Sequence, residues 1–472
     1  MATTENTPLL GQIEERIQHD HDTVYERFSP AHKRLIVTLV SLAGFMQMFV
    51  AGSFVPSVLP IARELGTTGA VINLAVSLSV LTAALGMLFW ARYAGFYGRR
   101  PIYLCMHPIL VLGSLGVAQA SSVPELMAFR VLQAFGGCGG FSIGAGVIGD
   151  IYRLEERGRA MGIFFAACFL SPALAPMIGG LVAHYASWRV MQLCLAISAV
   201  CLFCGMYTWL PETSQPRARG IDKLLEGEGA GSEKQWRWVW LNPFSDLALL
   251  RSPNLLAVCL SATTVLLSDF LLLNPLAFTI GKQYGITNEG IIGLFFLPAG
   301  LGNMIGAPLA GRISDRVIVE WRRKRGGVWV PEDRLRASVL GMAVIVPVSL
   351  LACGFCTEYV PGTPGIVLNL FFLFMNGVGI DYAMTPMSAY SVDIMHSRSA
   401  EVIAATAGLR NIICGSAVSG FLPTIDRIGV FATDAIVAVL VWFFLGILLL
   451  TIKYGDRMRA WVDVGYSTPA TN

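Results

Sequence analysis

An all-α membrane protein of about twelve spanning helices is the fold class this sequence predicts, and three observations predict it. The chain is poor in charge: of 472 residues 54% are hydrophobic and 14% charged, against about 25% charged in soluble domains. Its mean hydropathy of +0.62 agrees, so the missing charge requires burial in something larger than a domain core. Apolar stretches recur at the length of about 20 residues that crosses a bilayer. Finally, the basic residues gather on one side of those stretches.

The elements follow in order. A polar tail, 1–33, is rich in Glu, Asp and His, and the first apolar stretch begins only near Leu35. That is too far in, and too acidic before it, for a cleavable signal peptide, so the first span is expected to act as the targeting signal. Spans are expected at 34–57, 72–93, 101–120, 124–149, 160–183 and 188–209, and again at 253–280, 289–311, 336–357, 364–388, 401–422 and 429–452. The division is therefore a tail 1–33, a six-helix bundle 34–210, a polar loop 211–252, a second six-helix bundle 253–452 and a tail 453–472. With the N-terminus in the cytoplasm, only Arg63, Arg189, Lys282 and Arg427 of the 34 basic residues fall on the outer side, and Arg130 and Arg410 fall within spans. This positive-inside bias places both tails and the central loop in the cytoplasm.

The halves resemble each other. Gly136 precedes Asp150 by the interval at which Gly379 precedes Asp393, in Gly149-Asp150-Ile151 and Val392-Asp393-Ile394. The turn after the second span carries Gly98-Arg99-Arg100, and the turn after the eighth carries Gly311-Arg312-Ile313-Ser314-Asp315-Arg316. Matched halves argue for a parallel repeat about an axis along the membrane normal, as in rocker-type carriers.

Ionisable residues within spans are the sharpest functional signal, since each costs about 2.5–3.5 kcal/mol at a helix centre on insertion scales. Arg130, Asp269, Asp381 and Arg410 are the candidates. One scheme pairs Asp381 with Arg410. A second leaves Arg410 facing a cavity as an anion clamp, and a third makes each charge part of an internal pair that only fixes packing. Gln47 and Asn411 add hydrogen-bonding groups for a solute or for neighbouring helices.

Other motifs read more plainly. Cys201/Cys204 and Cys353/Cys356 have CxxC spacing but lie in spans without further ligands, and they read as small packing residues. The stripes Gly136/Gly140/Gly144 and Gly302/Gly306/Ala310 read as helix-packing faces. His107 and His184 look isolated, no Ser/His or His/carboxylate cluster falls on a common membrane face, and an enzyme is not expected. Glu5-Asn6-Thr7-Pro8-Leu9-Leu10 fits an acidic dileucine signal, His19-Asp20-His21-Asp22 reads as a solvated tail, and Arg322-Arg323-Lys324-Arg325 fits either anionic lipid or ordinary topology.

Tyr97-Gly98-Arg99-Arg100-Pro101 resembles the signature loop of major facilitator superfamily transporters, in the form of the fungal twelve-span drug:proton antiporters. Glu155-Glu156-Arg157-Gly158-Arg159-Ala160, Leu210-Pro211-Glu212-Thr213 and Pro331-Glu332-Asp333-Arg334-Leu335 are similar to the same group, and the resemblance covers about residues 34–452. It implies twelve transmembrane helices in two six-helix bundles. It implies a cytoplasmic latch in which Arg99 pairs with Asp150, with Arg100 and Arg157 nearby and Asp315, Arg316 and Asp393 as the second-half counterparts. The family's acid three residues before the loop Gly is Gly95 here, which removes a contact to the eleventh span. Ser171-Pro172-Ala173-Leu174-Ala175-Pro176-Met177-Ile178-Gly179-Gly180 is similar to the antiporter motif, with Pro172, Pro176, Gly179 and Gly180 retained. Arg130-Val131-Leu132-Gln133 matches the family's span-4 Arg motif, linked there to proton coupling.

The expected function is proton-coupled export of a small organic molecule (an organic acid, a secondary metabolite or a xenobiotic) by alternating access. Uptake by symport or facilitated diffusion is the alternative, with a transporter-like sensor behind it. Expected partners are the solute, protons and the bilayer. No cofactor or metal is expected, the net charge of +3 gives no reason for a nucleic-acid partner, and the chain is expected to be a monomer of the plasma membrane, the vacuolar membrane being the other option.

Overall fold

The structure is a computed structural model that describes residues 25–152, 154–214, 219–227, 239–328, 330–395 and 399–462. Among the described residues twelve helices are long and apolar enough to cross a membrane: α1 (Pro30–Glu64), α2 (Gly69–Tyr97), α3 (Arg99–Gln119), α4 (Val123–Ile151), α5 (Ala160–Tyr185), α6 (Trp188–Trp209), α7 (Pro253–Leu273), α8 (Glu289–Lys324), α9 (Pro331–Tyr359), α10 (Gly362–Ile394), α11 (Glu401–Ile428) and α12 (Val430–Trp461). Helices answer the bilayer's demand that every backbone polar group be paired internally. Several run past the expected spans. The helix of α1 breaks after Gly52 and resumes through a short 3-10 turn to Glu64, while α8 continues past Gly311 to Lys324.

Burial differs sharply along the series. In the most apolar window of each helix, 72% of α7 is buried against 28% of α12, so α7 is a central helix and α12 a lipid-facing one. The exposed face of α12 carries Ile436, Val439, Phe443 and Leu450.

Close backbone approach sets the packing, because helices in lipid gain little from burying apolar surface and rely on contact. A Cβ at Gly136 would lie 2.2 Å from the backbone N of Leu110, and one at Gly377 2.2 Å from the carbonyl of Ala299. Only glycine permits α3–α4 and α8–α10 to pack at those distances. Gly302 and Gly306 lie against the backbone of α10 in the same way.

Three apolar cores result. One, from Ile36 to Leu210, belongs to the first six helices, and another, from Leu249 to Leu448, belongs to the second. The third joins the halves: Phe54, Val58, Ile72 and Val76 pack with Leu271, Leu276, Ile292 and Phe295. These residues lie at the end of the molecule opposite the basic turns. The halves are therefore welded at that far end, and their cores are separate at the basic end.

Candidate functional site

Charge buried in the second half defines the site. Asp269 on α7, Asp381 on α10 and Arg410 on α11 are all half-buried. Asp381 lies within electrostatic reach of Asp269, and Asp269 and Arg410 both lie within reach of the Cys414 thiol. The structure thus brings the three charges to one region. It forms no ion pair between Asp381 and Arg410: among the described residues neither carboxylate, nor the guanidinium, has a hydrogen bond or salt bridge, and the Arg410 Nε is buried without a partner. Of the schemes above, the geometry leaves Arg410 as an open cation and the two acids as open carboxylates. Cys259 donates to the carbonyl of Thr406 and Cys414 to that of Thr263, which packs α11 on α7 around these groups. Asn411, next to Arg410, is half-buried.

The first half holds its buried cation differently. Arg130 on α4 is 1% exposed. Its Nη1 donates to Gln133 Oε1 (2.6 Å) and reaches the carbonyl of Val50 (3.5 Å), and its guanidinium lies 4.1 Å from the centroid of the Phe54 ring. That ring face supplies a cation–π attraction of up to about 2 kcal/mol where water is excluded. Gln133 in turn donates to Ser114 (2.9 Å) and Gln192 (2.8 Å), residues that sequence alone did not single out. No acid pairs with Arg130 among the described residues, and its Nε has no partner. Gln47 lies apart from this group. Its Oε1 accepts from the backbone N of Phe141 (2.8 Å) where α4 changes direction after Cys138.

At the basic end, Arg99 Nε meets Asp150 Oδ2 at 3.0 Å. The pair ties the start of α3 to the end of α4 within the first half. The reason the chain turns there is Gly98, whose φ of 110° suits glycine and whose missing side chain leaves room for Glu212. Glu212 accepts from the backbone N–H of Arg99 (3.0 Å) and Arg100 (3.3 Å), capping α3 with a charge that suits a helix N-terminus. The Arg100 side chain donates to the carbonyl of Tyr207 (2.9 Å). In the second half Asp393 pairs with Arg334 (2.7 Å), which also reaches Asp315 (3.5 Å). Arg334 thus takes the role expected of Arg316, which forms no ion pair among the described residues. The side chain of Arg157, the acidic dileucine segment and the His19–Asp22 tract lie outside the described residues.

A contact across the halves at this end comes from Arg92, whose Nη1 lies 3.4 Å from Asp246. Asp246 belongs to the 3-10 turn Ser245–Arg251 leading into α7. Gly95, one turn below Arg92, faces open space.

The far end carries a clasp. His184 is not isolated: its Nδ1 lies 3.0 Å from Glu289 Oε2, and its Nε2 lies 3.1 Å from Asn288 Nδ2. Asn288 Oδ1 is committed to the N–H groups of Gly290 and Ile291 as the N-cap of α8, so its amide points the NH2 at the imidazole. An imidazole that accepts at Nε2 and donates from Nδ1 satisfies all three groups. Chain neighbours of His184 give no sign of this, because its partners are a hundred residues away. The α5 helix that presents His184 also carries the proline–glycine motif. Pro172 and Pro176 lie inside it, Gly179 sits against the carbonyl of Ser53 on α1, and Gly180 sits against the carbonyl of Glu289 on α8. Asn73 on α2 donates to the carbonyl of Val418 (3.1 Å), and Ser77 donates to that of Gly415, both on α11.

Comparison with known proteins agrees with this architecture. The profile of the Major Facilitator Superfamily matches residues 40–423. Citrate exporter 1 of Aspergillus niger is 28% identical over 305 residues, 61% of this chain and 58% of the exporter, so that match spans less than two thirds of the relative's length. Efflux pump radE of Floropilus chiversii is 25% identical over 92% of this chain and 82% of its own. Among solved structures, the human organic anion transporter MFSD10 (TETRAN) superposes with a TM-score of 0.60 at 16% identity, covering 89% of this chain and all of that one. A partially occluded inward-open conformation of the xylose transporter XylE from E. coli gives 0.60 at 16% over 93% and 99%. These structures share the fold. With twelve apolar helices in two separately cored halves, and a profile match over most of its length, the chain belongs to the Major Facilitator Superfamily.

Proposed function

We propose that this chain is a secondary active transporter that exports a small organic molecule in exchange for protons, by alternating access between two six-helix halves. The observation that carries the reading is the trio Asp269, Asp381 and Arg410, half-buried and unpaired in the second half. Three unpaired charges inside spanning helices are costly to keep, and a carrier that must bind and release a charged solute or a proton has a use for them. Asp269 and Asp381 are the proton carriers in this scheme, and Arg410, with Asn411, is the contact for an acidic or polar group of the solute. Arg130 supports the same site from the first half.

The positive-inside distribution supports a cytoplasmic basic end, in a plasma-membrane or vacuolar protein. The weld at the far end then makes this conformation one closed to the outside, and export requires the clasp at His184 and the α2–α11 contacts to part. Ties at the basic end, Arg99–Asp150, Arg334–Asp393 and Arg92–Asp246, hold the loops that meet when the cytoplasmic side closes. The names of the relatives, a citrate exporter and an efflux pump, favour export, and the two cations favour a carboxylate-bearing solute.

The test compares solutes accumulating outside cells that express the chain with those outside cells expressing the double variant D269N/D381N. An organic acid or metabolite that appears outside only with the native chain supports the proposal. Identical outside pools from both sink it.

A further inference from the structure

Another buried acid lies outside this trio. Asp434, in the first turns of α12, is 1% exposed, its Oδ2 is buried without a partner, and neither carboxylate oxygen has a hydrogen bond or ion pair among the described residues. It lines a cavity of about 10 Å³ between α7, α9, α11 and α12, where the other polar groups are Thr279, Cys353 and Thr357. That volume is about one water.

The hydrogens on those groups are already spent. Thr357 Oγ1 donates to Asn369 Oδ1 (3.0 Å), Cys353 Sγ donates to the same oxygen (3.2 Å), and Thr279 Oγ1 donates to the carbonyl of Pro275 (3.2 Å). Asn369 is held in this orientation by its own NH2, which donates to the Tyr284 hydroxyl (3.2 Å) and to the carbonyl of Gly365 (3.0 Å). The Thr279, Cys353 and Thr357 side chains therefore turn lone pairs, and no hydrogen, toward the cavity. The carboxylate cannot turn elsewhere, since α9 packs on it at Gly354, where a Cβ would lie 2.4 Å from Oδ2.

An ionised Asp434 would be a bare anion among acceptors, which is among the costliest arrangements a protein interior can hold. One more hydrogen resolves it. A carboxylic O–H donates to a single water, and that water donates its two hydrogens to Thr357 Oγ1 and Thr279 Oγ1. A metal cation fits less well, because the two carboxylate and two hydroxyl oxygens fall short of the coordination that oxygen-bound cations take.

We propose that this cavity is a proton-binding site: Asp434 takes up one proton from the aqueous phase at the far end and holds it with one water against Thr357 and Thr279. The titratable groups around it are few. Glu358 on α9 accepts from the backbone N of Phe431 (3.0 Å) and is the charged group whose field reaches Asp434. Cys353 lines the cavity. Tyr284, in the loop after α7, keeps its proton because burial pushes its phenol up. α7 contributes Leu271 and Leu272 to the lining, and α11 contributes Ile425, so neither presents an ionisable group there. Asp269 lies two residues before Leu271 on α7, which makes Asp434 an outer way-station toward it. That use rests on the proton-exchange reading above, whereas the existence of the site does not.

The test is infrared difference spectroscopy on the full chain in lipid nanodiscs, between neutral and alkaline buffer. The expected result is a carboxylic-acid carbonyl band, lost on alkalinisation, that D434N removes and D269N/D381N leaves in place. T357V, which keeps the acid but deletes one acceptor of the bridging water, shifts that band, and this arm stands even if D434N fails to fold. A band unaffected by both D434N and T357V overturns the proposal. So does a band abolished by sodium at constant pH, which would make the occupant a metal cation. Absence of solute export by the native chain, with the band intact, counts against the transport reading and leaves the site standing.

Discussion

Replacing His184 by Ala removes both side-chain contacts that join α5 to the start of α8: the 3.0 Å contact to Glu289 and the 3.1 Å contact to Asn288. Each is worth about 0.5–1.5 kcal/mol net, and the half-exposed His–Glu pair belongs toward the low end. A loss of about 1–2 kcal/mol from the closed far end follows, which moves the closed–open equilibrium about 5–30-fold toward opening. The substitution touches neither the α2–α11 bonds nor the backbone contact of Gly180 with Glu289, so the fold is retained. The assay is the labelling rate of a cysteine placed at Ile72, which is fully buried in the core joining the halves, by a membrane-impermeant maleimide, with the parent lacking that cysteine as background. H184A should raise the rate by about 5–30-fold. E289A, which leaves the Asn288 cap of α8 in place, should raise it less, since it removes one of the two contacts. A rate unchanged within twofold in H184A would show that the clasp does not hold the far end shut, and the assignment of this conformation's closure to α5 and α8 would fall with it.

Other perturbations test other parts. E212A deprives the N-terminus of α3 of two accepted N–H bonds and should cost about 0.5–2 kcal/mol, read as a lower midpoint of thermal unfolding with solute binding unchanged. G377V drives side-chain carbon into the carbonyl of Ala299 and should abolish monodisperse protein on size exclusion, whereas valine at Gly95, which faces open space, should be tolerated. D150N should weaken the tie to Arg99, and the exchange R99D/D150R should recover part of the lost transport if the tie acts through charge alone. R410A should reduce affinity for a carboxylate-bearing solute at least tenfold, as removal of a charged hydrogen-bonding group does, with little change for a neutral solute.

Helix number and type were legible because a bilayer imposes one length and one composition on anything that crosses it. Where helices leave the hydrocarbon, that constraint ends. The extension of α8 from Gly311 to Lys324 is polar, and hydropathy alone assigns it to a loop. The intramembrane charges were equally visible, since Arg130, Asp269, Asp381 and Arg410 interrupt apolar runs. Their pairing was not, because it depends on which faces of α4, α7, α10 and α11 converge. Arg130 meets a ring, one glutamine and a backbone carbonyl, and Arg410 meets no acid among the described residues. Asp434 escaped notice through its place near the end of a span, where an acid ordinarily reaches the interface. Its burial comes from α9, which no pattern within α12 reveals. The same holds for the His184 clasp and for Arg334, which is chosen over Arg316 by the packing of the segment before α9 against α10.

In the proposed scheme protons and solute are exchanged at Asp269, Asp381 and Arg410, and proton movement across the membrane reads that exchange. Proteoliposomes loaded with a pH-sensitive dye and challenged with the solute identified from outside pools should show solute-dependent proton flux with the native chain. The flux should vanish in D269N/D381N reconstituted to the same density. Solute flux with no accompanying proton movement, or proton flux undiminished in D269N/D381N, would rule out proton exchange at these residues.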